Sequence, residues 1–85
     1  MYKVSISRPA QKNARNIPTD YYQTIVKRIF ELAENPRPLG CRKLVGFENL
    51  YRIRIGVYRI IYSIKDDILI VEVIKIDHRS SVYRA

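Results

Sequence analysis

The chain begins with a regular alternation of apolar and polar residues. Tyr2, Val4 and Ile6 are separated from one another by polar side chains. A repeat of two positions indicates a strand that buries one face and leaves the other in water. We therefore expect a first strand over residues 2–6.

Two helices are predicted to follow this strand. The Ser7–Pro9 stretch favours a helix start, because proline fits the first turn, where its missing backbone N–H is not needed. This short helix should run from about Pro9 to Asn16. Pro18 and Asp20 mark a second start, with a carboxylate near the positive end of the helix dipole. The apolar positions that follow recur at helical spacing and predict one buried face, made by Tyr22, Ile25, Val26, Ile29, Phe30 and Ala33. The Asn35–Pro36 pair should end this helix.

The segment 35–49 is predicted to be a loop. It contains two prolines and two glycines, and it is long for so small a domain. Loops of this length are often functional. We expect Leu39, Leu44 and Phe47 to hold it against the core.

Three strands are predicted after the loop. They are Leu50–Ile55, Tyr58–Ile64 and Ile68–Ile76, and tight turns should join them into an antiparallel meander. The last strand is apolar on both faces, which is typical of a central strand. The order is therefore β-α-α-β-β-β. We expect an α+β fold, in which an antiparallel sheet that includes the first strand carries an N-terminal helical hairpin packed on one face.

Length and composition are consistent with a single domain over residues 1–85. The apolar fraction of 47% is high enough for a core, although a domain of 85 residues buries only a modest share of its surface. The only cysteine, Cys41, cannot form an internal disulfide, which favours a reducing cytoplasm. No apolar run resembles a signal peptide or a membrane span.

The charge balance predicts a polyanionic partner. Sixteen Lys and Arg residues against eight Asp and Glu give a formal charge of +8. Such an excess suits RNA, DNA, an anionic membrane or an acidic protein, and charge by itself does not choose among them.

Several arginines are predicted to share one face of the sheet. Arg52 and Arg54 lie two positions apart on one strand, so their side chains leave the same face, and Arg59 on the next strand can join them. Guanidinium groups bind phosphate bidentately and keep their charge at neutral pH. The alternative is that these are ordinary solvated charges. Glu48 and Glu72 are the only nearby acidic candidates to balance them, and uncompensated like charges on a sheet are costly, which favours function.

Three further residues at the C-terminal end could carry chemistry. Arg79 follows the last predicted strand, and Tyr83 could stack on a base or donate a proton. His78 is the only histidine, and imidazole has an ordinary pKa of about 6.5, suited to proton transfer. The alternatives are a surface imidazole and an aromatic side chain packed back on the sheet. The sequence contains no glycine-rich phosphate loop, metal-spaced cluster or carboxylate pair, so we expect no metal and no cofactor.

The motifs of this chain, taken as a set, resemble the RelE family of bacterial and archaeal toxins. They are N-P-R-P at 35–38, K-L-x-G at 43–46, L-Y-R-I-R-x-G-x-Y-R-x-x-Y at 50–62, and H-R-x-x-V-Y at 78–83. The resemblance spans essentially the whole chain and implies a RelE-like, microbial-RNase-like fold. It also implies a toxin that enters the ribosomal A site and cleaves mRNA there. The 2′-hydroxyl attacks the adjacent phosphate, leaving a cyclic phosphate and a free 5′-hydroxyl.

The resemblance also implies roles for particular residues. Arg52 and Arg54 match the basic pair of the family, where the best-known members carry lysines, and arginine cannot act as a general base. Arg59 matches the arginine of the Y-R motif. The implied roles are charge stabilisation at the phosphate by Arg59 and Arg79, RNA positioning by Arg52 and Arg54, and proton transfer or base stacking by His78 or Tyr83. Further RNA contacts are assigned to Arg42, Lys43 and Arg84.

The partners implied by the resemblance are a cognate RelB-like antitoxin, the ribosome and mRNA. Operator DNA would be bound only through the toxin–antitoxin complex, and no membrane is involved. Two other functions stay open: a DNA gyrase inhibitor of the ParE branch, which shares the fold, and a non-catalytic domain that binds RNA or the ribosome.

Overall fold

The structure is a computed structural model that describes residues 1–78. Its elements are strand β1 (Lys3–Ile6), helices α1 (Arg8–Ala14) and α2 (Thr19–Glu31), and strands β2 (Arg42–Lys43), β3 (Leu50–Ile55), β4 (Tyr58–Lys65) and β5 (Ile70–His78). The α+β class and the order of the predicted elements are confirmed. The structure adds β2, which is only two residues long and lies within the predicted loop.

The five strands form one sheet in the order β1-β5-β4-β3-β2. Strands β3, β4 and β5 make the predicted antiparallel meander, and β5 is internal to the sheet, as its apolar faces indicated. Strand β1 pairs with β5 in parallel, so the sheet is mixed. The parallel pairing is possible because the chain between β1 and β3 passes through both helices, which return it across one face.

The helical hairpin covers one face of the sheet and makes the core there. Ile25 and Ile29 from α2 are fully buried, as is Ala10 from α1. They belong to one apolar cluster with side chains from the middle of the sheet, among them Ile60, Tyr62, Val71 and Val73. The opposite face of the sheet has no helix of residues 1–78 against it, and we call it the open face.

Helix α2 is shorter and less deeply buried than its pattern predicted. It ends at Glu31, because the next backbone N–H groups bond to carbonyl groups three residues back and tighten the last turn. Within the predicted apolar face, Ile25 and Ile29 are buried, whereas Tyr22 and Phe30 are exposed. The apolar stripe is therefore wider than the strip of helix that contacts the sheet.

The loop before β3 is held differently from the prediction. Leu39 is fully exposed and Phe47 is largely exposed, so neither holds the loop to the core, and Leu44 is half-buried. The anchor is instead Pro36, whose carbonyl oxygen accepts a hydrogen bond of 2.8 Å from the buried hydroxyl of Tyr62. A buried carbonyl needs such a partner, and this bond ties the start of the loop to β4.

Strand β5 begins at Ile70 and not at Ile68. Ile68 and Leu69 are exposed and complete the turn after β4, with Leu69 in the left-handed region at φ 54°. Within residues 1–78, no helix is long and apolar enough to cross a membrane.

Candidate nucleic-acid interface

A row of basic residues crosses four strands on the open face. The register places Arg42 opposite Arg52, Arg52 opposite Ile61, and Ile61 opposite Lys75. Directly paired residues share a face, and neighbouring strands lie about 4.8 Å apart. These four residues form a line across the sheet, which we call the first row. Three of them, Arg42, Arg52 and Lys75, are cationic. Lys75 is an addition that the sequence analysis did not identify.

A second row runs beside the first. Arg54 is paired with Arg59 across the β3–β4 hairpin, and Arg59 is paired with Asp77 on β5. Arg59 is half-buried and its Nε atom is buried, whereas Arg54 is exposed. The structure thus brings Arg52, Arg54 and Arg59 together on one face, as predicted.

Asp77 is the carboxylate of the second row. Its side chain is only 15% exposed, and its Oδ2 atom lies 3.5 Å from the Nζ atom of Lys75, which is on the same strand and face. The acidic residue opposite Arg59 is therefore Asp77, and neither Glu48 nor Glu72 takes this place. The sequence contains a signal for it: the adjacent apolar pair Val73–Ile74 shifts the alternation of β5 by one position, and the register has a bulge there.

The arginines also line a pocket of about 340 Å³ at the edge of the sheet, formed by Arg28, Leu39, Gly40, Arg42, Arg52, Ile53 and Arg54. The pocket exists because β2 is so short that it covers β3 only at Tyr51 and Arg52. The carbonyl oxygen of Leu50 accepts a hydrogen bond from the backbone N–H of Leu44, which follows β2. Backbone groups of every second strand residue point to the same side, so the backbone N–H of Arg54 also points to this edge of β3. We call this the arginine pocket.

Arg28 is the member of the arginine pocket that the sequence analysis missed. It lies on α2 directly before the buried Ile29, and it is half-buried at the border of the apolar stripe. Its Nε atom is 3.6 Å from a carboxylate oxygen of Glu31, which is a weak, exposed ion pair. Helix α2 thus contributes a fourth guanidinium group to a pocket whose other three guanidinium groups come from β2 and β3. The feature of the sequence that could have identified Arg28 is its position at the edge of the buried stripe of α2.

A cluster of polar contacts fixes the loop that carries Arg42 and Lys43. The guanidinium group of Arg37 donates to both carboxylate oxygens of Asp66, at 3.2 and 2.8 Å, and to the Tyr51 hydroxyl, and it lies 5.1 Å from the centre of the Tyr51 ring. The Tyr2 hydroxyl donates to Asp66 at 2.6 Å. These two donors lower the pKa of Asp66 from 3.8 to about 2. One arginine therefore joins the loop to β3 and to the turn after β4.

The low pKa of Asp66 predicts an acid-dependent loss of stability. The pKa of Asp66 is lower in the folded state than in the unfolded state. The contribution of its carboxylate to the free energy of unfolding is therefore complete above about pH 4 and is lost as the pH falls toward about 2. Asp66→Asn should therefore lower the free energy of unfolding at neutral pH. The gap between the free energies of unfolding of the variant and the wild type should become smaller as the pH is lowered. Urea denaturation at a series of pH values measures this. Asp67→Asn, which alters the next carboxylate in the turn, is the control, and a difference independent of pH would contradict the prediction.

Lys43 and His78 lie apart from the two rows. Lys43 is paired with Tyr51, so it leaves the sheet on the face opposite to Arg42. His78 is paired with Tyr58 on the helix-covered face, where the two rings meet edge to face at 5.4 Å. It borders a cleft of about 320 Å³ that is lined also by Asn13, Asn16, Ile17, Tyr58, Ile76 and Asp77. The structure does not bring His78 together with the arginines.

The remaining predicted site residues, Arg79, Tyr83 and Arg84, lie outside the described residues. Within residues 1–78, no group of three or more His, Cys, Asp or Glu side chains is placed to hold a metal ion. What the described interface offers chemically is a dense set of guanidinium groups for phosphates, with one carboxylate beside Arg59.

Comparison with known proteins adds a family and several relatives. Residues 4–83 match the family described as ParE toxin of type II toxin–antitoxin system, parDE. The chain is 34% identical to Toxin RelE of Mycobacterium tuberculosis over 84 residues, covering 98% of this chain and 87% of that protein. It is 30% identical to Toxin RelE3 of Methanocaldococcus jannaschii, covering 95% and 94% of the two chains.

A solved structure with a similar fold contains a RelE protein together with RelB. The crystal structure of the archaeal RelE–RelB complex from Pyrococcus horikoshii superimposes with a TM-score of 0.83 at 29% identity, covering 99% of this chain and 98% of that chain. The likeness therefore extends over the described fold as well as over the sequence.

Proposed function

Because this chain belongs to the RelE/ParE superfamily of toxins from type II toxin–antitoxin systems, we propose that it is a RelE-like, ribosome-dependent endoribonuclease. In this proposal it cleaves mRNA in the ribosomal A site by attack of a 2′-hydroxyl on the adjacent phosphate. The observation that carries the proposal is the pair of cationic rows on the open face, which unites Arg52, Arg54 and Arg59. An uncovered sheet face with this charge density fits a phosphodiester backbone.

Each arginine of the rows has a role in this proposal. Arg59 is half-buried, so its charge is less screened than that of an exposed side chain, and it stabilises the charge that develops on the scissile phosphate. Arg79 assists it. Arg52 and Arg54 hold the flanking backbone so that the 2′-oxygen lies in line with the breaking bond. Tyr83 stacks on a nucleotide base.

Binding of the rest of the RNA extends from the rows to the sheet edge. Arg42 continues the first row onto β2, and the arginine pocket adds Arg28. Lys43 and Arg84 make peripheral contacts with RNA or with the ribosome. Such contacts set affinity and register without reading the base sequence.

Substitution of Arg28 tests whether the arginine pocket binds a phosphate. Arg28→Gln should weaken binding to single-stranded RNA equally for different sequences, and it should reduce the slope of log affinity against log salt by about 0.7, which is the effect of one phosphate contact. Fluorescence anisotropy at several salt concentrations measures both quantities. Lys27→Gln removes the same charge from the next, exposed position of α2 and is the control. Equal slopes for the two variants would contradict the prediction.

The proposed protein partner is a cognate RelB-like antitoxin, by analogy with the Pyrococcus relative, which was crystallised with RelB. A chain with a formal charge of +8 suits an antitoxin segment that carries negative charge. The complex would bind operator DNA through the antitoxin, and the toxin would act in the cytoplasm when the antitoxin is lost.

Programmed ribosomes with a defined codon in the A site provide the test. We expect the purified protein to cut the mRNA within that codon and to leave a cyclic phosphate and a 5′-hydroxyl, which mapping of the RNA ends detects. Intact mRNA on active ribosomes, with folded protein, would refute the proposal. Strong, salt-dependent RNA binding without cleavage would instead indicate a non-catalytic binder.

The family match also supports a second candidate, because its description names ParE toxins. A ParE-like inhibitor would act on DNA gyrase and leave mRNA intact. The test is a gyrase assay with the same preparation: gyrase-dependent DNA cleavage complexes would favour this candidate. The cationic open face favours the ribonuclease, since a gyrase inhibitor that acts through protein contacts has no need of aligned guanidinium groups.

A further inference from the structure

The proposed reaction needs a group that accepts the proton of the attacking 2′-hydroxyl, and the arginines cannot supply it. A guanidinium group keeps its proton at neutral pH, so Arg52, Arg54 and Arg59 can bind charge but cannot act as a base. Arg42 of the first row is likewise an arginine, and Lys75, the other cation of the rows, is paired with the Asp77 carboxylate at 3.5 Å. A base must therefore be sought among the other groups on the open face.

Asp77 is the carboxylate that the register places in the second row. It lies directly opposite Arg59, which in turn lies opposite Arg54, so one line across three strands contains two guanidinium groups and one carboxylate. Glu72 is on the same strand but is paired with Ser63, outside both rows. His78 is on the helix-covered face against Tyr58. Among residues 1–78, Asp77 is thus the carboxylate positioned to meet a phosphodiester that Arg59 binds.

We propose that Asp77 is the general base of this toxin, an inference that rests on the ribonuclease function proposed above. Asp77 accepts the proton of the 2′-hydroxyl while the 2′-oxygen forms its bond to phosphorus. The bond between phosphorus and the 5′-oxygen breaks, and the leaving oxygen takes a proton from water. The products are a 2′,3′-cyclic phosphate and a 5′-hydroxyl, and Asp77 returns its proton to solvent. Arg59, one strand away, neutralises the phosphate throughout.

The surroundings of Asp77 suit a proton acceptor held in a fixed position. On its own face of the sheet, Asp77 is beside Arg59 on β4 and Lys75 on its own strand. The adjacent Tyr58 and His78 project from the helix-covered face and border the cleft that Asp77 also lines. This cleft also receives the uncharged amides of Asn13 on α1 and of Asn16, which follows that helix. Its side chain is 15% exposed, so it keeps limited access to the open face while its neighbours restrict its rotation.

The test compares Asp77→Asn with the wild type on programmed ribosomes. We expect the variant to lose on the order of a hundredfold to ten-thousandfold in cleavage rate, while its affinity for RNA is retained, because the substitution removes a negative charge from a basic face. Its residual rate should rise in proportion to hydroxide concentration across the neutral range, more steeply than the wild-type rate. An mRNA in which sulfur replaces the leaving 5′-oxygen should not restore the rate of the variant. Sulfur is a better leaving group and compensates for the loss of a general acid, but it does not compensate for the loss of a general base.

Two further variants keep this test decisive. Glu72→Gln removes the same charge from the same strand and should cleave at the wild-type rate, whereas Asp77→Glu, which retains a carboxylate, should recover part of the activity. A rate for Asp77→Asn equal to that of the wild type would refute the assignment and leave the ribonuclease function standing. A slower rate with the same pH dependence as the wild type would indicate that Asp77 acts only as a structural partner of Lys75. That outcome would also refute the assignment of Asp77 as general base. Absence of cleavage by the wild type itself would refute both proposals.

Discussion

Arg59→Ala should reduce the cleavage of ribosome-bound mRNA by on the order of a hundredfold or more, which is the usual loss when one preorganised charge at a transition state is removed. Arg59 is half-buried in the middle of the sheet, with cross-strand neighbours on both sides, so its side chain has less freedom than an exposed one before the substrate arrives. Such a group stabilises developing charge without having to reorganise. Single-turnover cleavage on programmed ribosomes, with mapped mRNA ends, gives the rate.

The control for this experiment is Arg15→Ala. Arg15 is an exposed cation that follows α1, away from the two rows, and its loss changes the net charge by the same amount. It should cleave at nearly the wild-type rate. Equal losses in the two variants would mean that only the overall charge matters, and the assignment of Arg59 to the scissile phosphate would then be wrong.

Ile29→Ala should destabilise the fold by about 2–5 kcal/mol, the range for truncation of a fully buried large aliphatic side chain. Ile29 has no exposed surface and belongs to the cluster that joins α2 to the sheet. A domain of this size has a free energy of unfolding of roughly 4–13 kcal/mol, so the loss is a large share of it. The melting temperature should fall by roughly 10 °C or more.

The neighbouring position provides a matched control. Phe30 is the larger side chain but is 53% exposed, so Phe30→Ala should change the free energy of unfolding by less than about 1 kcal/mol. Thermal and urea denaturation, followed by circular dichroism, compare the two variants. Similar losses at both positions would show that α2 buries a wider face than the structure describes.

These two positions illustrate what the helix pattern could and could not predict. Spacing identifies an apolar stripe that contains both Ile29 and Phe30, and it cannot show which edge of the stripe meets the sheet. That choice depends on how the helix is rotated against β4 and β5, which is a property of tertiary packing. The same rotation brings Arg28, at the border of the stripe, to the arginine pocket.

The loop 35–49 shows the same limit. Its apolar residues Leu39 and Phe47 suggested contacts with the core, yet they are exposed, and the loop is held by Pro36 and Arg37. The partners of these residues, Tyr62 and Asp66, lie more than twenty positions away in the sequence. No local pattern contains such a pairing, because it arises only when the strands have assembled.

The sequence by itself determined the elements and the central arginines. A period of two places Arg52 and Arg54 on one face, and the short turn at Gly56 sets Arg59 opposite Arg54, since a tight hairpin leaves little freedom of register. Tertiary structure decided the other members of the site. The bulge in β5 moves Asp77 to the face of Arg59 and His78 to the face of the helices, because one extra residue in a strand inverts every position after it.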